Sequence, residues 1–234
     1  MSLVPEGTEV VPLLLLHGWP GSFVEFYEAI PALTAVRPDR NFALELIIPS
    51  LPGYGFSSEV IGFHTNLPLI MSSKATFVRI LGAIYPPLLV SREVEDRKFS
   101  TWVCPDHRYK QDGGLPYRFT KDRLIDNLMV YWTTNTITTS MRLYKETFNS
   151  RYMGLRMDDI PTSVPTWVTQ AKYEVSYTLN LVLKSKYPNL VNETILDDGG
   201  HFLAMELPEI FSNDVLKAIG EFRKLNKEYK KTEL

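Results

Sequence analysis

The feature that most constrains the fold is the apolar run VVPLLLL at residues 10–16, which leads directly into the turn-forming sequence HGWPGS. The run has no polar alternation, which is typical of a strand covered on both faces of a parallel sheet. A second apolar run at 42–48 ends at a proline and is followed by the loop PSLPGYGFSS. Residues 23–33 between the two runs have helical spacing. We therefore predict one β-α-β unit.

Strands and helices are predicted to alternate again near the C-terminus. The pattern gives two strands, each followed by a helix, over 164–171, 175–186, 192–196 and 208–225. The closing NKEYKKTEL is charged and is predicted to be a frayed tail. Between these two regions the apolar residues have helical spacing, and no clear strand is predicted between residue 67 and the strand at 164. The fold class predicted is α/β, with a mostly parallel sheet and a helical insertion.

The predicted domain limits follow from this pattern. Residues 1–66 form the N-terminal part of the α/β core, 67–160 a shortened helical cap-like insertion over the ends of the sheet, and 161–234 the C-terminal part of the core. At 234 residues the chain fits one domain with an insertion.

Composition excludes several classes of partner and cofactor. The 25 Lys and Arg residues nearly balance the 27 Asp and Glu residues, so no nucleic acid partner is expected. The single cysteine, Cys104, rules out an internal disulfide and a Cys-rich zinc site, and a half-buried structural role is the simpler reading. No metal or other cofactor is predicted. No apolar run approaches the ~20 residues of a membrane span, and the N-terminus lacks the pattern of a signal peptide. An intracellular, soluble protein is expected, and its oligomeric state is not predicted.

Candidate reactive groups lie in loops at the predicted carboxyl ends of strands, where open α/β sheets place their sites. His201 follows two glycines and suits a general base, because its ordinary pKa lies near working pH. A surface histidine at the start of the next helix is the alternative. Glu174, Asp197 or Asp198 could orient the imidazole through its other nitrogen, as the third member of a triad does.

The turn HGWPG suits a second role. Gly18 and Gly21 permit close approach of backbone, so N–H groups near His17 and Trp19 could form an oxyanion hole. A tight strand-to-helix turn with no further role is the structural alternative.

Several motifs in collinear order resemble one known family. HGWPGS, PSLPGYGFS, RLYKE, KYPNL and GGHFLAMELPE together resemble the epoxide hydrolases of the α/β-hydrolase fold, in the microsomal and juvenile-hormone branch. That resemblance implies hydrolysis of small lipophilic epoxides to diols through an Asp/His/Glu triad. It also implies detoxification of foreign compounds and association with the endoplasmic reticulum membrane.

The resemblance implies a role for each matching position. An aspartate on a sharp elbow attacks the epoxide and forms an ester, which activated water then hydrolyses. His201 resembles the base that activates the water, and Glu174 its carboxylate partner. Tyr144, in RLYKE, resembles one of two cap tyrosines that donate to the epoxide oxygen. His17 and Trp19 resemble the oxyanion-hole turn.

The nucleophile itself cannot be found in the sequence. A nucleophile elbow needs a glycine two residues before and two after the reactive side chain. No Asp, Ser or Cys fits: Asp112 and Asp198 have glycine only after them, and Ser57 only before. Glu59 is a carboxylate that could replace the missing nucleophile, but it does not lie in an elbow.

Internal losses explain the missing elbow best. The chain passes from PGYGFSS directly to EVIGFHTNLPL, where the family has a helix, a central strand and the elbow. A second gap is predicted at SREVEDRKFSTW, where the family has the other tyrosine. The amino-terminal anchor is also expected to be absent, which favours the cytoplasm. The competing hypotheses are a family hydrolase of doubtful activity and a non-catalytic truncated form that binds a hydrophobic ligand or a partner, or an incomplete gene model.

Overall fold

The computed structural model describes residues 8–38, 40–58, 76–77, 119–147, 150, 154–156, 159–174 and 177–232. The predictions made for Cys104, Asp112 and Glu59 concern positions outside these residues.

The first sheet is parallel and is built around the strand that leads into HGWPGS. Strand β1 spans Glu9–Leu14, β2 Phe42–Ile47 and β3 Thr76–Phe77, in the order β2-β1-β3. Strands β1 and β2 pair along their full length, from Glu9 opposite Phe42 to Leu14 opposite Ile47. Because the strands are parallel, the loops after β1 and β2 leave the same edge of the sheet.

The second sheet supplies the C-terminal loops. Strand β4 spans Thr166–Gln170 and pairs in parallel with β5, Leu190–Ile195. Among the described residues the two sheets share no hydrogen-bonded strand pair. That separation is consistent with the predicted loss of a central strand between them.

The helices cover one face of the sheets and build the cap. A 3₁₀ turn at Phe23–Phe26 precedes the first α-helix. The α-helices α1 to α6 span Ile30–Thr34, Lys121–Thr134, Ile137–Thr147, Asn180–Lys186, Leu203–Glu206 and Pro208–Thr232. Helices α2 and α3, in the predicted cap, are separated by Asn135, whose positive φ of 54° ends α2. Asparagine tolerates this left-handed conformation better than most residues.

The main core joins both sheets to α1, α5 and α6. Its most buried members come from β1, the 3₁₀ turn, α1 and α6: Leu13, Leu15, Phe26, Leu33, Phe211, Val215 and Ile219. Ala171 and Leu203, which follow β4 and β5, belong to the same cluster. The core therefore holds the two sheets together without a shared strand.

The described elements correct five expectations. Burial along β1 alternates, with Val11 and Leu13 buried and Val10 49% exposed, so coverage on both faces is wrong for this strand. The two-residue strand β3 lies where no strand was predicted.

The other three corrections concern helix limits. Residues 23–33 form a 3₁₀ turn and a short helix rather than one helix. Helix α6 continues into the charged tail as far as Thr232, so the frayed tail that was predicted is helical over most of its length. The helix predicted over 175–186 begins at Asn180.

Leu13→Ala is expected to lower the free energy of unfolding by about 2–5 kcal/mol, because Leu13 is fully buried between strand and helices. Leu181→Ala, in α4, removes the same atoms from a side chain that is 81% exposed and should change stability by less than ~0.5 kcal/mol. Denaturant unfolding of both variants measures the difference. Equal effects would contradict the assignment of the core.

Candidate active site

Two loops at the carboxyl edge of the second sheet meet through backbone pairing. Beyond β4 and β5, Tyr173 and Gly200 form an isolated parallel bridge. Tyr173 N donates to Gly199 O at 2.9 Å, and Lys172 N to Asp198 O at 3.4 Å. Glu174 follows Tyr173 and His201 follows Gly200, so this bridge places the two side chains side by side.

His201 and Glu174 form a close, sheltered pair. Nδ1 of His201 lies 2.7 Å from Oε1 of Glu174, and the side chains are 10% and 11% exposed. When Nδ1–H donates to the carboxylate, the lone pair of the imidazole is on Nε2. Of the other carboxylates considered, Asp198 accepts from Gly199 N at 2.8 Å, and Asp197 is exposed.

The two glycines before His201 have a steric reason. Gly199 has φ +80°, and a Cβ there would lie 2.8 Å from Leu203 Cδ1. A Cβ on Gly200 would lie 3.0 Å from Glu206 Oε1. Glu206 is buried and accepts a hydrogen bond from Phe202 N at 3.1 Å. Small residues therefore allow the loop to turn tightly onto α5.

His17 is buried and fixed by the loop after β2. Its Nε2 accepts from Leu51 N at 3.1 Å, and its Nδ1 donates to Gly18 O at 2.9 Å. Burial lowers the pKa of His17, which the bond to Gly18 only partly opposes. The side chain is thus a neutral structural link between the HGWPG turn and the loop PSLPGYG.

Helix α2 holds the HGWPG turn through an amide and a phenol. Asn127 Nδ2 donates to Pro20 O at 2.9 Å, while its Oδ1 accepts from Ser22 Oγ at 2.7 Å. One turn along the same helix, Tyr131 Oη donates to Gly21 O. All three bonds are buried, so the cap helix fixes the backbone of the turn.

Trp19 connects the same turn to α3. Its indole Nε1 donates to Ser140 Oγ at 3.2 Å, and the peptide bond between Trp19 and Pro20 is cis. Ser140 is fully buried. The turn is therefore held by both cap helices.

The turn and the His201 loop are packed against each other. A Cβ added to Gly21 would lie 3.0 Å from the Phe202 ring and 2.3 Å from Glu25 Oε2. The Phe202 ring in turn meets the His201 ring edge-on, with centroids 5.0 Å apart. Only glycine fits at position 21, and the His201 loop packs directly against the turn there.

Glu25 is a buried carboxyl beneath the turn. Burial raises its pKa to about 8, and a hydrogen bond with the Gly18 backbone partly offsets the rise. Its Oε2 is buried without a hydrogen-bond partner among the described residues. A neutral carboxyl at pH 7 is the form that this environment favours.

Other predicted groups have fewer described contacts. Tyr144 lies within α3, but its side chain is outside the described residues. Within the described ranges, no group of three or more His, Cys, Asp and Glu side chains could hold a metal ion. A cavity of about 330 Å³ lies at the opposite, amino edge of the first sheet, between Phe42, Leu216 and Arg223.

Four side chains that contact the turn were not predicted from the sequence: Asn127, Tyr131, Ser140 and Glu25. A signal existed for the first two, because Asn127 and Tyr131 are four residues apart and share a face of a helix rich in apolar residues. A polar residue on such a face needs a buried partner. Nothing in the sequence indicated which partner that would be.

Asn127→Ala should reduce the free energy of unfolding by about 1–3 kcal/mol, because Ser22 Oγ and Pro20 O lose their buried partner. The exposed Asn189, which donates to Ser163 O, is the matched control. Asn189→Ala should cost less than ~0.5 kcal/mol. Denaturant unfolding gives both values, and an Asn127→Ala loss no larger than that of the control would show that the amide does not hold the turn.

Glu25→Gln should remove a pH dependence of stability. Glu25 binds its proton more tightly in the folded protein, where its pKa is about 8, than at its ordinary value of 4.5. Its contribution is therefore fully present below pH 4.5 and is lost as pH rises through 8. The wild type should melt at a lower temperature at pH 9 than at pH 6, and the variant should show a smaller decrease.

His17 should cause a loss of stability at low pH in the same melting series. Its pKa is lowered by burial, so its contribution is present above 6.5 and is lost as pH falls. The loss on the acid side should persist in Glu25→Gln. Identical pH profiles for wild type and Glu25→Gln on the alkaline side would contradict the assignment.

Comparison with known proteins gives consistent matches. The family description "Epoxide hydrolase N terminus" matches residues 2–26. The juvenile hormone epoxide hydrolase of Bombyx mori is 45% identical, over 95% of this chain and 68% of that protein. Epoxide hydrolase 1 of Oryctolagus cuniculus is 28% identical, over 93% of this chain and 70% of that protein.

The crystal structure of the silkworm juvenile hormone epoxide hydrolase superposes on this chain with a TM-score of 0.79. It is 44% identical, over 95% of this chain and 75% of that one. The sequence alignment with the Bombyx mori protein runs over 316 positions, whereas this whole chain has 234 residues. The silkworm protein thus has residues inside the aligned part that have no counterpart here. The chain belongs to the epoxide hydrolases of the α/β-hydrolase fold, in the microsomal and juvenile-hormone branch.

Proposed function

We propose that this chain carries the water-activating part of an epoxide hydrolase site, with His201 as general base, Glu174 as its carboxylate partner and the HGWPG turn as the oxyanion hole. The observation that carries the proposal is the sheltered 2.7 Å contact between His201 Nδ1 and Glu174 Oε1. A neutral imidazole with its proton on Nδ1 can accept a proton from water at Nε2.

The two residues would act in the second half of the reaction. Water attacks the carbonyl carbon of an aspartyl ester and gives its proton to His201 Nε2. Glu174 stabilises the imidazolium that forms, while backbone N–H groups of the turn stabilise the oxyanion. As the tetrahedral intermediate collapses, the ester C–O bond breaks, and the imidazolium returns its proton to the departing alkoxide oxygen, which releases the diol and the aspartate carboxylate. Tyr144 would act earlier, donating to the epoxide oxygen as the ring opens.

The first half of the reaction requires a nucleophile that the sequence does not supply. No Asp in the chain lies in a Gly-x-Asp-x-Gly elbow. Removal of one member of a catalytic unit costs nearly as much as removal of all of them. We therefore propose that the chain as it stands hydrolyses epoxides at no more than the background rate.

The substrate class follows from the family. Epoxides are the substrates of its members, and the apolar cap helices favour lipophilic ones. Association with the endoplasmic reticulum membrane is part of the same proposal. Among the described residues no helix is long and apolar enough to cross a membrane.

The direct test incubates the purified protein with an aryl epoxide in ¹⁸O-labelled water. We expect no diol above the protein-free rate. Diol formation that His201→Ala abolishes would show that the chain is active, and single-turnover labelling would then show whether water or a carboxylate attacks the ring. A cooperative melting transition establishes beforehand that the protein is folded.

A gain-of-function chimera tests the site itself. The residues that the silkworm protein has in excess would be inserted at the two predicted losses, between Ser58 and Glu59 and within SREVEDRKFSTW. We expect diol formation, and we expect His201→Ala in the chimera to reduce it by about 10²–10⁴-fold. A chimera that is active and insensitive to His201→Ala would contradict the assigned base. Saturable binding of the epoxide without turnover in both proteins would instead favour a non-catalytic ligand-binding role.

A further inference from the structure

Gln170, the last residue of β4, is a buried amide at an inward-facing strand position. Burial alternates along β4, and Gln170 shares a face with Val168, which is almost fully buried. An apolar side chain would satisfy that pattern. A buried amide there has to be paired, and its partners indicate what it does.

The partners of Gln170 lie on the far side of the loop that carries Glu174. Gln170 Oε1 accepts from Thr178 N at 2.8 Å, and Nε2 donates to Thr178 O at 3.0 Å. The side-chain amide thus binds both backbone groups of one residue, as a neighbouring strand would. Glu174 lies midway between positions 170 and 178.

A carboxylate on β5 orients the amide. Gln170 Nε2 also donates to Glu193 Oε1 at 2.5 Å, and Glu193 Oε2 accepts from Asn180 Nδ2 at 2.5 Å. Asn180 is the first residue of α4, which follows the loop. A carboxylate only accepts, so it determines which end of the amide is Nε2 and hence which Thr178 group each end meets.

The loop is therefore held at both ends. Its first half is tied to the His201 loop by the bonds of Lys172 and Tyr173. At its far end, Thr178 is bound to β4 through Gln170, and Gln170 is bound in turn to Glu193 of β5. We propose that Gln170 is a positioning residue, which holds Glu174 at His201 by closing this loop. The inference rests on the proposed pairing of base and acid but not on turnover.

The chemistry of glutamine is specific to this task. Leucine has a similar volume and offers neither donor nor acceptor, so Gln170→Leu leaves Thr178 and Glu193 without these bonds. Glu193→Ala leaves the two Gln170–Thr178 bonds in place and removes the carboxylate that accepts from Gln170 and Asn180, at a half-buried strand position. Its effect should have the same direction and be smaller.

The readout is the downfield proton NMR signal of the His201 Nδ1–H, which depends on its hydrogen bond to Glu174 and on shelter from water. The chain has four histidines, and His201→Gln identifies the signal. Glu174→Gln gives the position expected when the carboxylate is lost. Asn189→Ala removes an amide-to-carbonyl bond at the opposite end of the β4–β5 pair and serves as the matched control.

In Gln170→Leu we expect the signal to move towards its position in Glu174→Gln. We also expect it to exchange with solvent roughly fivefold faster or more, the effect of one net hydrogen bond on a local opening equilibrium. Asn189→Ala should leave the signal unchanged. A folded Gln170→Leu protein with the wild-type signal and exchange rate would overturn the proposal.

If Gln170→Leu does not fold, the position and exchange rate of the His201 signal in Glu193→Ala test the proposal instead. The signal requires no substrate, so the test separates the two proposals. Failure of the chimera to hydrolyse epoxides, with a signal that depends on Gln170, would refute the proposed function alone. A signal that is insensitive to both variants, in a chimera that is active, would refute the positioning role alone.

Discussion

The parallel pairing of β4 with β5 is the constraint on which the candidate site depends. Past the strand ends the pairing shifts and resumes at the bridge between Tyr173 and Gly200, and this bridge fixes the relative positions of the next two residues. Backbone hydrogen bonds thus determine the separation of Glu174 and His201 before any side chain is considered. Catalytic groups held on extensions of strands are placed more reproducibly than groups on long loops.

The HGWPG turn is held by side chains rather than by strand pairing. Its backbone is bound by side chains of α2 and α3, which are distant in sequence and belong to the cap. Glu25 and Phe202 then pack beneath it, so Gly21 has no room for a Cβ. One half of the site is therefore organised by the sheet, and the other half by contact between cap and core.

Much of this arrangement could be predicted from the sequence. The strands, the glycine-containing turns and the positions of His201 and Glu174 after strands follow from hydrophobic patterning and turn chemistry. The contacts of Asn127 and Gln170 could not be predicted, because each depends on which backbone groups come within reach after folding. The one-sided burial of β1 was also not visible, since an apolar run does not reveal how many faces are covered. The missing nucleophile, by contrast, is evident only from the sequence.

The bonds between α2 and the turn couple the position of the helix to the order of the turn. Displacing α2 would break the buried bonds of Asn127 and Tyr131 to Pro20, Gly21 and Ser22, each worth ~1 kcal/mol net. It would also release the turn backbone that is proposed as the oxyanion hole. Displacement of α2 and loss of order in the turn are therefore one event.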